Sequence, residues 1–158
     1  MMRIPQTIDA WETIYSPDWR FDTANFSVIF YADDEELDPH DSFDCEKDVE
    51  FAQSGNDGAW FCAVVAVYGP DGQLIAWDTL GGCSYNSVRE FYSAHRWQYS
   101  RRQRRWITDP KSRAWKACEA RRPRRADGSR MDGHYFPSMV REAVRAAKHA
   151  VALAQNGA

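Results

Sequence analysis

Ten carboxylate side chains crowd the eighteen residues of the stretch DDEELDPHDSFDCEKDVE, which contains a single basic side chain, that of Lys47. Clustered carboxylates can bind a cation, remain a solvated and extended loop, or present a negative surface to a basic partner. They can also neutralise arginines that lie further along the same chain. The ten candidate partner-binding residues are Asp33, Asp34, Glu35, Glu36, Asp38, Asp41, Asp44, Glu46, Asp48 and Glu50.

The spacing of this acidic run argues against a metal site. Carboxylates stand one residue apart from position 34 to position 38, as they do at the start of a calcium-binding loop. The sixth position of such a loop is Pro39 here, where the tight turn needs Gly, and the twelfth is Cys45, where a bidentate Glu belongs. His40 and Cys45 alone are too few soft ligands to indicate a transition metal. We therefore expect no metal and no other cofactor.

Mimicry of a nucleic-acid backbone is the most specific interpretation of the acidic run. A closely spaced row of carboxylates has the sign and roughly the charge density of a phosphate backbone, so it can compete for a groove lined by Lys and Arg. Leu37, Phe43, Val49 and Phe51 lie between the carboxylates and would anchor the run to the domain or contact a partner. A plain solvated loop stays open as an alternative, because charge runs are common.

A basic segment follows the acidic run, with fourteen Lys and Arg side chains between Arg89 and Arg130 and aromatic residues interleaved among them. Guanidinium groups on phosphates and rings stacked on bases would form a groove for single-stranded nucleic acid. The segment could equally bind an acidic protein or fold back on the acidic run, where exposed ion pairs contribute only about 0–1 kcal/mol each. The candidate nucleic-acid-binding residues are Arg101, Arg102, Arg104, Arg105 and Trp106.

The best candidate for catalysis is Cys83 in the stretch LGGCSY. Gly81 and Gly82, placed before a helix N-terminus, could form an anion-binding nest that favours the thiolate. His95 or His134 would have to serve as the base. The alternative is a Gly-Gly turn followed by a small buried thiol. No GxSxG, HExxH, P-loop or dinucleotide-binding fingerprint accompanies the motif. We expect the protein not to be an enzyme, and a Cys83 nucleophile is the second alternative function.

The composition predicts one domain over residues 1–158, with an acidic segment at 33–58 and an Arg-rich segment at 96–130. The net charge of −3 conceals a dipolar layout: residues 1–58 hold 15 acidic and 3 basic side chains, whereas residues 89–158 hold 6 acidic and 17 basic ones. The four cysteines are spread singly. The chain begins without a hydrophobic signal region, and its apolar runs fall far short of the roughly 20 residues that span a membrane. We expect a cytoplasmic protein with reduced thiols and no membrane partner.

The apolar patterning predicts an α+β fold. Helical spacing in TIDAWETIY predicts a first helix over Thr7–Tyr15, and NFSVIFYA predicts a strand over Asn25–Ala32. WFCAVVAVY and QLIAWDTL predict two further strands, joined by a hairpin turn at Gly69–Gly72. Because the first of these two strands is apolar on both faces, we expect it in the middle of the sheet.

Two helices are predicted after the strands. SVRE has the spacing of a capping box, and an apolar stripe from Val88 to Tyr99 follows it at helical spacing. FPSMVREAVRAAKHAVALAQNG predicts a terminal helix with Pro137 in its first turn and Gly157 at its exit. The order α-β-β-β-α, with a helix after the third strand, predicts a small antiparallel sheet of three or more strands and helices packed on one face. The inward residues of the terminal helix are predicted to be Phe136, Val140, Ala143, Val144, Ala147 and Val151.

Two stretches, VAVYGPDGQLIAWDTLGGCSYNSVREFY and YFPSMVREAVRAA, resemble small accessory proteins encoded by phages and mobile genetic elements. The resemblance covers Trp60–Tyr92 and Phe136–Ala147, and the acidic and Arg-rich segments lie outside it. It implies the context of a bacterial host cell, in which such proteins bind and block host machines, including CRISPR and restriction complexes with basic nucleic-acid grooves. It implies no activity and no catalytic residues.

The leading hypothesis from the sequence is a non-enzymatic inhibitor or accessory protein of the anti-CRISPR or antirestriction type. It would bind a host nucleic-acid-handling complex that has a basic groove, with the ten carboxylates standing in for phosphates. The alternative is a nucleic-acid-binding module that uses the Arg/Trp-rich segment. The oligomeric state and the identity of the partner do not follow from the sequence.

Overall fold

The computed structural model describes residues 4–14, 17–93, 98–100, 105–107, 109, 111–120 and 135–157. These residues form five α-helices and six β-strands, with a short 3-10 turn at Pro39–Asp41. The helices are α1 (Asp9–Ile14), α2 (Glu46–Ala52), α3 (Val88–Ser93), α4 (Arg113–Ala120) and α5 (Tyr135–Asn156). The strands are β1 (Trp19–Asp22), β2 (Ser27–Asp33), β3 (Phe61–Tyr68), β4 (Leu74–Cys83), β5 (Gln98–Ser100) and β6 (Arg105–Ile107).

The first four strands form an antiparallel sheet in the order β1-β2-β3-β4. β3 lies between β2 and β4, which confirms the central position predicted from its apolar residues. The turn between β3 and β4 is held by hydrogen bonds of 2.9 Å from the Gly69 N–H to the Gln73 carbonyl and of 3.0 Å from the Gly72 N–H to the Gly69 carbonyl. The predicted hairpin and the α+β fold class are both confirmed.

The larger core lies between one face of this sheet and α5. Successive residues of a strand point to opposite faces, so β2 places Val28 and Phe30 on this side. Phe136 packs edge-on against Phe30 at 5.3 Å between ring centroids, and Ala143 and Ala147 bring the helix close to the sheet. The predicted inward face of the terminal helix is therefore correct at these three positions, and Met139 is buried in addition. α3 packs Phe91 into the same core.

A second core covers the opposite face of the sheet, where β2 places Ile29 and Tyr31. α1 inserts Trp11 there, and the indole N–H of Trp11 donates to the hydroxyl of Tyr68. The Tyr68 hydroxyl in turn donates to the carbonyl of Pro5 at 2.7 Å. The prediction that the helices pack on one face is therefore corrected for α1, because its large indole side chain belongs to this second core.

The acidic segment and the sequence after Ser87 differ from expectation in their local structure. α2 and the 3-10 turn occupy part of the acidic segment, for which an extended loop was one of the open alternatives, and β1 is an additional edge strand. Ser87 caps α3 by accepting the Glu90 N–H at 3.1 Å, while the Glu90 carboxylate accepts the Asn86 N–H at 3.1 Å. The prediction that the apolar stripe stays helical as far as Tyr99 is wrong at that residue, because Tyr99 pairs with Trp106 in the β5–β6 hairpin.

No helix in the described part of the chain is both long enough and apolar enough to cross a membrane.

A tight backbone contact fixes the end of the acidic segment to α3. Gly58 has a φ of +78°, and a Cβ built on it would lie 2.4 Å from the carbonyl carbon of Ser87. The Gly58 carbonyl also accepts the Tyr85 N–H at 2.7 Å. Gly55 has the same φ of +78°, but a Cβ built there would meet no atom within 4 Å.

The two glycines form a matched test of this contact. We expect Gly55→Ala to lower the free energy of unfolding by about 1–2 kcal/mol, because alanine is strained at positive φ. Gly58→Ala should lower it by a further 1–3 kcal/mol or so, because the start of α3 must shift to admit the methyl group. Urea unfolding of both variants measures the difference. Equal losses would show that the Gly58–Ser87 contact contributes nothing.

Candidate protein-binding surface

A partly buried hydrogen bond at the end of β4 holds the acidic segment on the sheet. The pairing of β3 with β4 shifts between Ala63–Leu80 and Phe61–Cys83, so Gly81 and Gly82 form a bulge inside β4 instead of the predicted turn. A bulge leaves a residue out of the hydrogen-bond ladder, and Gly82 meets this geometry with a φ of +67°. Its N–H donates to Oε2 of Glu35 at 2.6 Å.

The second carboxylate oxygen of Glu35 orders the run itself. Oε1 accepts the Leu37 N–H at 3.1 Å, so one side chain joins the acidic run to β4 and fixes its first turn. Hydrogen bonds to an ionised acceptor are about twice as strong as neutral ones. Glu35 thus serves as an internal anchor, and its role in partner binding stays a prediction.

An aromatic pair supports the same junction from the other side of the run. The indole N–H of Trp60 donates to the Leu37 carbonyl at 3.0 Å, and its ring lies 5.6 Å from that of Phe43 between centroids. The Trp60 ring also lies over Gly82, 3.4 Å from a Cβ built there. Phe43 therefore anchors the run as predicted, whereas Leu37 anchors it through its backbone and leaves its side chain 56% exposed.

α2 turns the second half of the run into a helical surface. Val49 and Ala52 are buried, so the helix has one fixed inner side. Glu46 and Asp48 lie in its first turn, where the positive end of the helix dipole favours negative charge. Dipole stabilisation and the buried inner side together allow this charge-rich sequence to fold.

Most of the remaining carboxylates point away from the protein. In the part of the chain that the structure describes, six of the ten are exposed and their side chains make no hydrogen bond or ion pair. They are Asp34, Asp41, Asp44, Glu46, Asp48 and Glu50. Asp33 accepts the Asp34 N–H at 2.9 Å, and Glu36 is exposed but has an interaction partner. We call the six residues the acidic surface.

A histidine lies at the edge of the acidic surface. The Nδ1 of His40 is 2.9 Å from Oδ1 of Asp38, and this contact raises the pKa of His40, with smaller contributions from the charges of Glu46 and Asp41. Hydrogen bonds from the His40 backbone and ring lower the pKa of Asp38. The stabilisation that accompanies the raised pKa of His40 is fully present at pH values below the pKa of this side chain in the unfolded chain. It is lost as the pH rises through the pKa that His40 has in the folded protein. The surface therefore becomes more negative over that pH range.

The predicted nucleic-acid-binding residues lie largely outside the described residues. This applies to Arg101, Arg102 and Arg104, whereas Arg105 and Trp106 lie on β6, which is described as backbone. The pairing of Tyr99 with Trp106 places these two positions side by side on one face of the β5–β6 hairpin. Whether the arginines reach the acidic run stays a prediction.

The surroundings of Cys83 do not favour a nucleophile. The thiol is buried at the end of β4, where it donates to the Leu80 carbonyl at 3.4 Å, and burial raises its pKa to about 11. Such a thiol is protonated at neutral pH, the reverse of what the nucleophile hypothesis requires. A cleft of about 280 Å³ borders the thiol, and the described residues that line it include no histidine and no charged side chain. Its lining residues are Phe43, Leu80, Gly81, Gly82, Cys83, Ser84, Tyr85 and Tyr135.

Metal ligands are not brought together either. Within the described residues, no three side chains of His, Cys, Asp or Glu form a group that could hold a metal ion. In place of a metal-binding arrangement, Asp38 caps the 3-10 turn by accepting the His40 N–H at 3.0 Å.

The sequence analysis missed one surface residue, Trp77. Its side chain is 55% exposed on β4, on the face opposite α5, because its register partner Ala66 belongs to the second core. The alternation of QLIAWDTL, in which Trp77 and Thr79 share a face, could have indicated it.

Comparison of the chain with protein-family models, curated proteins and solved structures finds no match to any of them.

The anchor role of Glu35 can be tested by deletion of its side chain. Glu35→Ala should lower the free energy of unfolding by about 1.5–3 kcal/mol, because it removes two hydrogen bonds to an ionised group. It should also speed amide exchange at Gly82. Asp34→Ala is the matched control, since Asp34 is exposed, and should change stability by less than about 0.5 kcal/mol. Equal effects in urea unfolding would contradict the anchor role.

The burial of Cys83 can be tested against Cys45 in the same molecule. With iodoacetamide at neutral pH, the exposed Cys45 should be alkylated in the native protein while the buried Cys83 is protected. Both should react in urea, and peptide mass spectrometry measures each site. Fast native labelling of Cys83 would revive the nucleophile hypothesis.

Proposed function

We propose that this protein is an inhibitor or accessory protein that binds a basic, nucleic-acid-handling partner complex through its acidic surface. The carboxylates of that surface stand in for backbone phosphates. The proposed role requires no cofactor and no catalytic step. The resemblance to small phage and mobile-element proteins supports a host defence complex as the partner.

The observation that carries this proposal is that one carboxylate of the run, that of Glu35, bonds to the sheet, while the six carboxylates of the acidic surface face solvent. Glu35 fixes the run to β4 through the Gly82 N–H at 2.6 Å, and α2 buries Val49 and Ala52. The outward carboxylates consequently sit on an ordered scaffold and not on a free loop. A preorganised charged surface loses less entropy on binding than a flexible one, and it attracts an oppositely charged groove before contact.

Direct nucleic-acid binding is the second candidate function. The register of the β5–β6 hairpin favours it, because Tyr99 and Trp106 are neighbours on one face, as in a stacking platform. The two candidates differ in their response to salt and nuclease. A phosphate-binding protein must weaken steeply with salt, whereas a phosphate mimic should repel an oligonucleotide.

Neutralisation of the acidic surface tests the leading proposal. The variant carries Asp34→Asn, Asp41→Asn, Asp44→Asn and Glu50→Gln, which remove four charges and conserve side-chain shape. We expect partner affinity to fall roughly 10- to 100-fold, because each exposed charge contributes up to about 1 kcal/mol. The measurement is capture of partners from bacterial lysate with and without nuclease, followed by titration of the captured complex and displacement of its bound oligonucleotide.

The matched control has the same change of net charge on exposed positions of α5: Ala146→Lys, Ala152→Lys, Gln155→Lys and Asn156→Lys. It should bind the partner like the parent protein. Full binding by the neutralised variant would contradict the proposal. Loss of all partners on nuclease treatment, with salt-sensitive binding of oligonucleotides by the protein alone, would favour the nucleic-acid-binding alternative.

A further inference from the structure

β4 is an edge strand, and residues 6–8 of the same chain pair with the backbone at its beginning. The sheet order ends at β4, yet the Leu74 N–H donates to the Gln6 carbonyl at 2.8 Å and the Ile8 N–H donates to the Gly72 carbonyl at 2.9 Å. An isolated antiparallel bridge joins Thr7 to Gln73 between these bonds. The outer edge of β4 therefore accepts a strand at its beginning. Beyond Leu74, no strand of the described residues pairs with that edge.

The unpaired stretch of this edge is regular. Register shifts separate Ala76–Leu80 from both ends of β4, and these five residues pair without interruption with Ala63–Val67 on the inner side. Natural edge strands are usually protected from pairing by lysine, proline or inward charge. Ala76–Leu80 contains no lysine and no proline, and its one inward charge is Asp78, which shares the face of Ala76 and Leu80. This protection is lifted only for an occupant that supplies a positive charge at that position.

The exposed face beside this edge is apolar. Trp77 is 55% exposed, and Thr79, two residues further along the same face, is exposed as well. Gly81 continues the alternation, and Leu37 lies over it with its Cδ1 at 3.4 Å from a Cβ built there. An exposed tryptophan such as Trp77 is the kind of anchor that dominates binding energy at interfaces. The exposed Leu37 side chain adds apolar area four residues further along the same face, over Gly81.

Negative charge lies at one end of this stripe. Leu37 belongs to the acidic run, and Glu35 is bonded to Gly82 of β4, so one end of an added strand would lie beside the start of the acidic run. Opposite charges across an interface favour encounter and exclude partners of the wrong sign. Charge complementarity therefore indicates a basic occupant.

A second copy of this chain fits the edge less well. Symmetric antiparallel pairing centred on Ala76–Leu80 would place Asp78 directly opposite Asp78 of the other copy. Like charges at directly opposed positions destabilise a strand pair. The same position would instead attract a lysine or arginine.

We propose that the edge of β4 at Ala76–Leu80 binds an extended, basic segment of the partner protein as an added β-strand. Backbone hydrogen bonds would hold the segment to β4, while Trp77 and Leu37 contact its apolar side chains on one face and Asp78 attracts a lysine or arginine on the other. This inference rests on the proposed function, because it specifies which part of a basic partner the protein binds.

Labelled synthetic peptides test the inference directly. The probe is a ten-residue peptide that alternates lysine or arginine with valine or threonine, compared with an acidic peptide of the same pattern and with the basic peptide N-methylated on alternate residues. We expect fluorescence anisotropy to show binding of the first peptide alone. Amide exchange at Ala76–Leu80 should slow when it binds. N-methylation removes backbone donors without removing charge, so it separates strand addition from simple attraction.

Variants of the chain complete the test. Trp77→Ala removes an anchor, Thr79→Lys places a positive charge on the exposed face, and each should weaken the basic peptide by at least about tenfold. Phe21→Ala on the other edge strand, β1, is the matched control, because Phe21 is also exposed, and it should bind like the parent.

The outcomes separate this inference from the proposed function. The inference is overturned if the N-methylated peptide binds as tightly as the unmodified one, or if Trp77→Ala and Thr79→Lys bind like the parent. If the charge-neutralised variant still loses partner affinity in that case, the proposed function stands without strand addition. A dimer in sedimentation that Thr79→Lys dissociates would assign the edge to a second copy and also overturn the inference.

Discussion

The hydrogen bond between the Gly82 N–H and the Glu35 carboxylate, at 2.6 Å, is the contact on which the arrangement of the acidic segment depends. The acidic run from Asp33 to Glu50 has ten carboxylates and one lysine, so its charges repel one another and favour an extended chain. It is held on the sheet because a bulge in β4 releases a backbone donor that an ionised acceptor can satisfy. Trp60 then closes the junction through the Leu37 carbonyl. One carboxylate directed inward thus allows the others to be held outward.

The core determines where this junction can form. The two hydrophobic cores bury both faces of β3, and β4 pairs with one edge of β3 at the end of the sheet. The register between Ala63–Leu80 and Phe61–Cys83 then places the bulge at the end of β4 nearest the acidic run. Gly58, which contacts the backbone of Ser87, fixes the other end of the acidic segment. The surface is therefore a consequence of sheet register at one end and of a backbone contact at the other.

The sequence predicted the elements whose signals are local. The β3–β4 hairpin has Gly and Pro between two apolar strands, and α5 has a long apolar stripe with a proline at its start, so both were predictable. β1 was missed because WRFD is four residues long and half polar. The prediction of a helix was wrong at Tyr99, because the pairing of this residue with Trp106 in a strand overrides the local helical periodicity.

The sequence indicated that carboxylates form the candidate site, but it could not indicate which carboxylate bonds to the sheet and which ones face solvent. Nothing in DDEEL distinguishes Glu35 from its neighbours, since its partner lies 47 residues away in sequence. The same limit applies to Cys83, whose position after two glycines suggests a reactive loop until the bulge buries it. Charge patterns identify candidates, whereas sheet register decides which of them face solvent.

In the proposed complex, the acidic surface and the edge of β4 would contribute different parts of the binding energy. Exposed charges act over roughly 8–10 Å at physiological salt, so they select and orient a partner but hold it weakly. Burial of a tryptophan side chain stabilises a complex without regard to charge. Neither feature alone would both select a basic partner and hold it tightly. Because Leu37 and Glu35 of the acidic run lie beside the end of β4, a partner in the proposed complex would have to satisfy both features at once, and this requirement would give the surface its specificity.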